Sequence, residues 1–247
     1  MIQWNETSIR LMSDFAVYTG FYTELAKALL PHLNRDGHIC DAGCGLGYLG
    51  AALAKEVRRV TGVERNPEAA TAAQALHENT ANFSVLNGDI HLLPPEERYD
   101  DMVFCFFGNL LESLLLAKRQ ATGKAVIIKR DLHMHRFSMK YVEVNEHTFV
   151  DAEHSLREWE VPFETFPLSL EAGQPFMSLK DGVDFFNLYS RDVRSTSITE
   201  EEVFARLVKG REPFPYYLPM KRNMGVIIVD TKNIEGEKIW KRLSHLS

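Results

Sequence analysis

Cysteine is scarce. The 247 residues hold three, Cys40, Cys44 and Cys105, which form neither an even set nor a Cys-x-x-Cys pair. A disulfide framework is therefore excluded, and the thiols are expected to be buried and reduced. Long apolar runs are missing as well: none approaches the ~18 residues a membrane span needs. The opening Met1-Ile2-Gln3-Trp4-Asn5-Glu6 lacks a basic stretch followed by an apolar one, so the expected location is the cytoplasm. Positive charge is in the minority, 28 Lys and Arg against 34 Asp and Glu, for a formal charge of −6. Broad affinity for phosphate backbones is not expected. Repeats and low-complexity tracts are absent. What remains is 45% hydrophobic and 25% charged, with 15 Gly and 10 Pro scattered along the chain. That is the composition of a folded globule, one α/β domain or one such domain with an insertion.

Near the start, Tyr18, Phe21, Tyr22, Leu25 and Leu29 recur at helical spacing, and Pro31 marks the end of that run. From His38 a regular alternation begins. Ile39-Cys40-Asp41 reads as a strand, residues 43–47 as a glycine-rich turn, and Leu49, Ala52, Leu53 and Val57 as the inner face of a helix. Val60 to Glu64 is a second strand, and Asn66-Pro67 opens a helix over Glu68 to Glu78 as N-cap and first-turn proline. Further strands follow at Phe83 to Leu86, Met102 to Phe107 and Ala125 to Ile128, with a Leu-rich helix over 110–119. Strands alternating with helices predict a doubly wound, mostly parallel sheet covered on both faces.

After Asp131 the rhythm changes. Tyr141 to Val144, Trp159 to Phe163 and Phe185 to Tyr189 read as mixed β-like and aromatic-rich pieces. The expected organisation is an N-terminal helical segment (1–35), a Rossmann-like domain (36–131 and 198–247) and an insertion (132–197) shaping the substrate pocket. Thr199 and Glu202 form a capping box, and Tyr216 to Leu218 with Val226 to Val229 suggest a closing hairpin.

The turn Asp41-Ala42-Gly43-Cys44-Gly45-Leu46-Gly47-Tyr48-Leu49-Gly50 lies where a parallel sheet binds nucleotide-type ligands. Gly45-x-Gly47-x-x-Gly50, with Glu64 following Gly45 by 19 residues, also satisfies the dinucleotide fingerprint. Asp41 tips the balance: a carboxylate there repels a pyrophosphate and attracts an ammonium group. A second carboxylate, in Asn87-Gly88-Asp89-Ile90, ends the third strand and suits an exocyclic amine.

Taken in order, Asp41-x-Gly43-x-Gly45-x-Gly47, Val63-Glu64 and Asn87-Gly88-Asp89 resemble the class I S-adenosylmethionine-dependent methyltransferases, over roughly residues 35–130. The resemblance implies that Asp41 and the backbone at Gly43 hold the amino-acid end of the cofactor, with Gly45 and Gly47 permitting close approach. It implies that Glu64 grips the ribose hydroxyls and that Asp89 and the backbone of Ile90 read the adenine. Phe106, Phe107 and Gly108 would line the methyl-donor channel. Cys105-Phe106-Phe107-Gly108-Asn109 departs from the Asn-Pro-Pro-Tyr signature of DNA amino-methyltransferases, which argues against nucleobase amines as acceptors.

Past the fifth strand, Asp131, His133 and His135 alternate, so His133 and His135 are the candidates for a general base. Two imidazoles without a third ligand do not specify a metal, and none is expected. Cys44 lacks the basic neighbour a nucleophile needs. Lys221-Arg222 could attract an anionic group. The expected partner is a small-molecule acceptor, with no membrane and no nucleic acid, and no oligomeric state is specified. A non-catalytic S-adenosylmethionine-binding module and an NAD(P)-dependent oxidoreductase are the alternatives on the same fold.

Overall fold

The computed structural model describes residues 4–94, 99–131, 135, 137–143, 148–191 and 197–235. The N-terminal apolar run is two helices rather than one. Helix α1 (Glu6–Thr19) is closed by Gly20, which turns left-handed at φ 66° and returns its N–H to Ala16. Helix α2 (Phe21–Leu29) follows at once and ends in a 3-10 turn at Pro31. Side chains on either side of Gly20 keep helical spacing, so periodicity alone hides the break.

The alternation then unfolds as the sequence implies. Strand β1 (His38–Ala42) leads into α3 (Tyr48–Leu53), β2 (Arg59–Glu64) into α4 (Pro67–Leu76), and β3 (Phe83–Asn87) precedes β4 (Asp101–Cys105), α5 (Leu110–Gln120) and β5 (Lys124–Arg130). Helix α4 starts as expected, with the Asn66 side chain accepting from Ala69 N and Pro67 in the first turn. Among themselves, strands β1 to β5 pair in parallel, and each crossover needs a helix or long connection.

Beyond β5 come α6 (Phe149–Glu158), β6 (Glu164–Glu171), β7 (Gln174–Phe176), α7 (Leu179–Tyr189), α8 (Glu200–Phe204), β8 (Val208–Lys209), β9 (Tyr216–Leu218) and β10 (Lys221–Asp230). The large sheet has the order β3-β2-β1-β4-β5-β10-β6, and a second sheet the order β7-β9-β8. Strand β10 runs antiparallel to β5, from Met224 opposite Arg130 to Asp230 opposite Lys124.

Three expectations are corrected here. Phe185 to Tyr189 is the last part of helix α7, not a β-like piece. Trp159 to Phe163 is the turn and loop that follow α6, and residues 141–143 form no strand. The closing hairpin does not pair as read: β9 bonds to β7 and β8, while the edge neighbour of β10 is β6. The Thr199–Glu202 capping box at α8 is present.

By packing, the chain divides into two compact units along boundaries other than 132–197. One, residues 22–131, 146–168 and 224–247, is built on the parallel sheet. Its core joins Met102 and Phe104 of β4, Ile127 of β5, Ile227 of β10, Leu114 of α5 and Leu156 of α6. The other, residues 1–21, 132–145 and 169–223, closes over Leu11, Phe176, Phe185, Phe186, Val203 and Leu218. Within it the buried Gln174 side chain donates to the Leu11 carbonyl at 3.0 Å, and Arg10 pairs with Asp181 at 2.6 Å.

Candidate functional site

The strand order reverses between β1 and β4: β2 and β3 extend to one side, β5 and β10 to the other. Ligands of open parallel sheets bind at the carboxyl ends of the strands at such a switch point. The ends that meet there are Asp41-Ala42 of β1 and Phe104-Cys105 of β4.

Past β1 the chain turns through Gly43, Gly45 and Gly47 at φ 68°, 54° and 75°. A side chain is strained in that region, so the turn requires glycine three times. The N–H groups of Gly43 and Cys44 both donate to the Val63 carbonyl, tying the turn to β2. A Cβ on Gly43 would lie 2.5 Å from Cδ2 of Phe107, so that ring rests directly on the glycine. Gly50, the last glycine of the dinucleotide-like spacing, faces the Phe83 ring. It serves helix packing.

Glu64 is buried and joins the motifs. Its Oε2 accepts from Gly45 N at 3.0 Å and its Oε1 from Asn66 N at 2.9 Å. Its carbonyl accepts from Gly88 N and from the Asn87 side chain. Glycine turn, β2 end and β3 end thus converge on one residue. Asp89 accepts from His91 N at 2.9 Å, and the carbonyl of buried Ile90 is held by the Gln120 side chain at 2.8 Å and by Arg119 at 3.2 Å.

Asp41 is 2% exposed, and among the described residues its Oδ2 has no hydrogen-bond partner. Burial pushes its carboxyl up to about 7, a Gly50 backbone hydrogen bond holds it down in part, and Glu64 adds to the rise. A buried carboxylate oxygen without a donor is costly. It is the donor-seeking group of the site, and an ammonium group fits it.

At the end of β4, Phe106 adopts φ 54° and Gly108 φ 42°. The left-handed conformation at a phenylalanine costs roughly 1–3 kcal/mol and must be held in place by its surroundings. Phe106 N donates to Ile128 O, and the Phe107 ring stacks on His91 with centroids 6.4 Å apart. His91 Nε2 lies 2.7 Å from Glu112 of α5. Lys129 was not legible as part of this region. Only 3% exposed on β5, it donates to the carbonyls of Phe107 at 3.1 Å and Gly108 at 2.7 Å.

Asp41, Gly43, Gly45, Gly47, Glu64, Asp89, Ile90 and Phe106, the residues that the resemblance assigns to the cofactor, all belong to the sheet-centred unit. His135 belongs to the other, with its N–H on the Val142 carbonyl and its Nδ1 2.9 Å from Ser138 Oγ. His133 lies outside the described residues. Cys44 Sγ faces Gly62, and burial drives the thiol far above its usual value, as suits an inert filler. Among the described residues no helix is long and apolar enough to cross a membrane.

A family model described as a methyltransferase domain matches residues 39–126. An uncharacterized RNA methyltransferase of Nostoc sp. strain PCC 7120 is 34% identical over 150 residues, covering 52% of this chain. The chain spans only 31% of the length of that curated relative. Among solved structures, the YcgJ protein of Bacillus subtilis matches with a TM-score of 0.53 at 12% identity, over 85% of this chain and 97% of that one. A proposed methyltransferase from Bacillus halodurans C-125 matches with 0.53 at 15% identity, over 83% and 98%. At such identities the structural likeness speaks for the fold. What the comparisons show together is a match to a methyltransferase domain over residues 39–126, set in a fold shared with those solved structures.

Proposed function

We propose that the protein is an S-adenosylmethionine-dependent methyltransferase acting on a small-molecule acceptor. The observation that carries the cofactor assignment is the buried, donor-less Oδ2 of Asp41 beside the glycine turn. Asp41 would take the ammonium group of the cofactor. Each Glu64 oxygen spends one acceptor position on a backbone N–H, and a carboxylate has about four such positions. Glu64 therefore retains capacity for two ribose hydroxyls. Asp89 and the N–H of Ile90 would face the adenine, and Phe106, Phe107 and Gly108 would line the path of the methyl group.

When bound, the cofactor supplies a methyl group already activated by the sulfonium. The chain's own task is to hold the acceptor about 3 Å from that carbon, in line and away from water. We propose residues 132–197 for acceptor recognition, and His133 or His135 as the base that takes the acceptor's proton.

The charge of −6 favours a small acceptor over a polyanion. RNA is the second reading, favoured by the Nostoc relative's description. Titration calorimetry with S-adenosylmethionine and with NADH tests the cofactor. The first is expected to bind with micromolar affinity, weakened by about tenfold or more in Glu64→Ala and in Asp89→Ala. Binding of NADH instead overturns the reading in favour of an oxidoreductase. Labelled methyl groups entering the RNA of a cell extract, and lost on ribonuclease treatment, would replace the small-molecule acceptor with RNA.

A further inference from the structure

Lys129 is a buried ammonium in the middle of a sheet, a place where charge is costly unless satisfied. Its strand neighbours are β4 and β10, and the residue opposite it on β10 is Gly225. Burial lowers its pKa to about 8, the Glu112 carboxylate of α5 holds it up, and the Arg130 charge adds to the fall. No side chain takes its described hydrogen bonds. They go to the backbone carbonyls of Phe107 and Gly108, at 3.1 and 2.7 Å. Satisfying the charge is thereby coupled to the path of the loop after β4, since that loop cannot leave without stranding the ammonium.

The loop needs such a hold. It contains the left-handed Phe106, and it delivers the Phe107 ring onto Gly43. Around that ring stand Phe104, with centroids 5.8 Å apart, and His91.

We propose that Lys129 is a positioning residue of the cofactor site: by binding the carbonyls of Phe107 and Gly108 it fixes the Phe107 ring as the wall over Gly43, against which the amino-acid end of the cofactor is seated. The proposal rests on the methyltransferase reading. It differs from a general structural role in being directed at one end of the ligand.

The test compares two ligands that share the adenosine portion but differ in the amino-acid end, S-adenosylhomocysteine and 5′-methylthioadenosine, on the full chain. Lys129→Met is expected to weaken S-adenosylhomocysteine binding about tenfold and leave methylthioadenosine within about twofold. Phe107→Leu should show the same split, and Lys129→Arg should restore much of the affinity. Hydrogen exchange supplies a readout without ligand. Amides at 106–109 should exchange faster in Lys129→Met than in the wild type, with β1 and β2 unchanged.

Equal loss for both ligands, or unchanged exchange at 106–109, overturns the proposal. Wild-type protein that binds neither ligand overturns the methyltransferase reading instead. The exchange arm then still decides whether Lys129 holds the loop.

Discussion

Asp41→Asn is expected to weaken binding of S-adenosylmethionine by at least about 100-fold, the cost of removing one partner of a buried charge pair. The same substitution should stabilise the ligand-free protein above about pH 7. Both effects have one origin. Burial, the largest influence, raises the carboxyl from 3.8 to about 7. A group whose pKa is raised by folding lends its stability fully below the unfolded value, and the contribution disappears as the pH rises through about 7. Above that pH the ligand-free wild-type protein carries an ionised carboxylate whose Oδ2 lacks a donor among the described residues, a charge that the amide variant does not have. The cation of the cofactor requires the ionised form, so wild-type affinity should fall by up to tenfold per pH unit on acidification below about 7. Calorimetry and thermal melts across roughly pH 5.5 to 8.5 read both effects. A flat affinity profile, or an Asn variant that binds normally, would remove Asp41 from the site.

The second large effect concerns stability alone. Asp101 is 3% exposed at the amino end of β4, with Oδ2 accepting from Asn34 N and Oδ1 from Lys124 N, both at 2.7 Å. One carboxylate thus ties the chain after α2 and the start of β5 to the centre of the sheet. Asp101→Ala strands two backbone donors, costing roughly 2–3 kcal/mol. For a chain of this size the melting temperature should drop on the order of 6–10 °C. Asp101→Asn keeps one acceptor oxygen and should lose about half as much. Phe107 and the glycine turn are at the opposite end of the strands, so cofactor affinity near room temperature should stay unchanged in both variants. A large loss of affinity without a thermal shift would refute this division between fold and site.

These two carboxylates differ in how far the sequence reveals them. Asp41 stands in a turn whose glycines announce a ligand, so residue type and neighbourhood suffice. Asp101 reads as the polar start of an apolar strand, and its partners at 34 and 124 are distant in sequence. Capping signals at Asn66-Pro67 and Thr199-Glu202 are legible because the side chain bonds to backbone only three residues away. The parallel strands are legible because both their faces are covered, which makes their apolar runs continuous. Phe185 to Tyr189 misleads since five residues are too few to separate a strand from a helix turn by periodicity. One of the two partners of Tyr216 to Leu218 is β7, about 40 residues upstream, and nothing in either segment names the other. Lys129 is hidden for another reason: in sequence it is a basic residue at the end of a strand, and only the fold brings two carbonyls to its ammonium.

The left-handed turn at Gly20 separates α1 from α2, and α1 packs on β7 in a unit assembled from three stretches of chain. During synthesis α1 is made roughly 150 residues ahead of β7, a delay on the order of 10–30 s at ~5–20 residues per second. Through that interval Leu11, buried in the finished protein in a core that includes Phe176 of β7, lacks that part of its cover. Removing residues 1–30 would take Leu11 out of a closed core together with the Arg10–Asp181 pair. Such a shortened protein would be a folding mutant before it could report on catalysis.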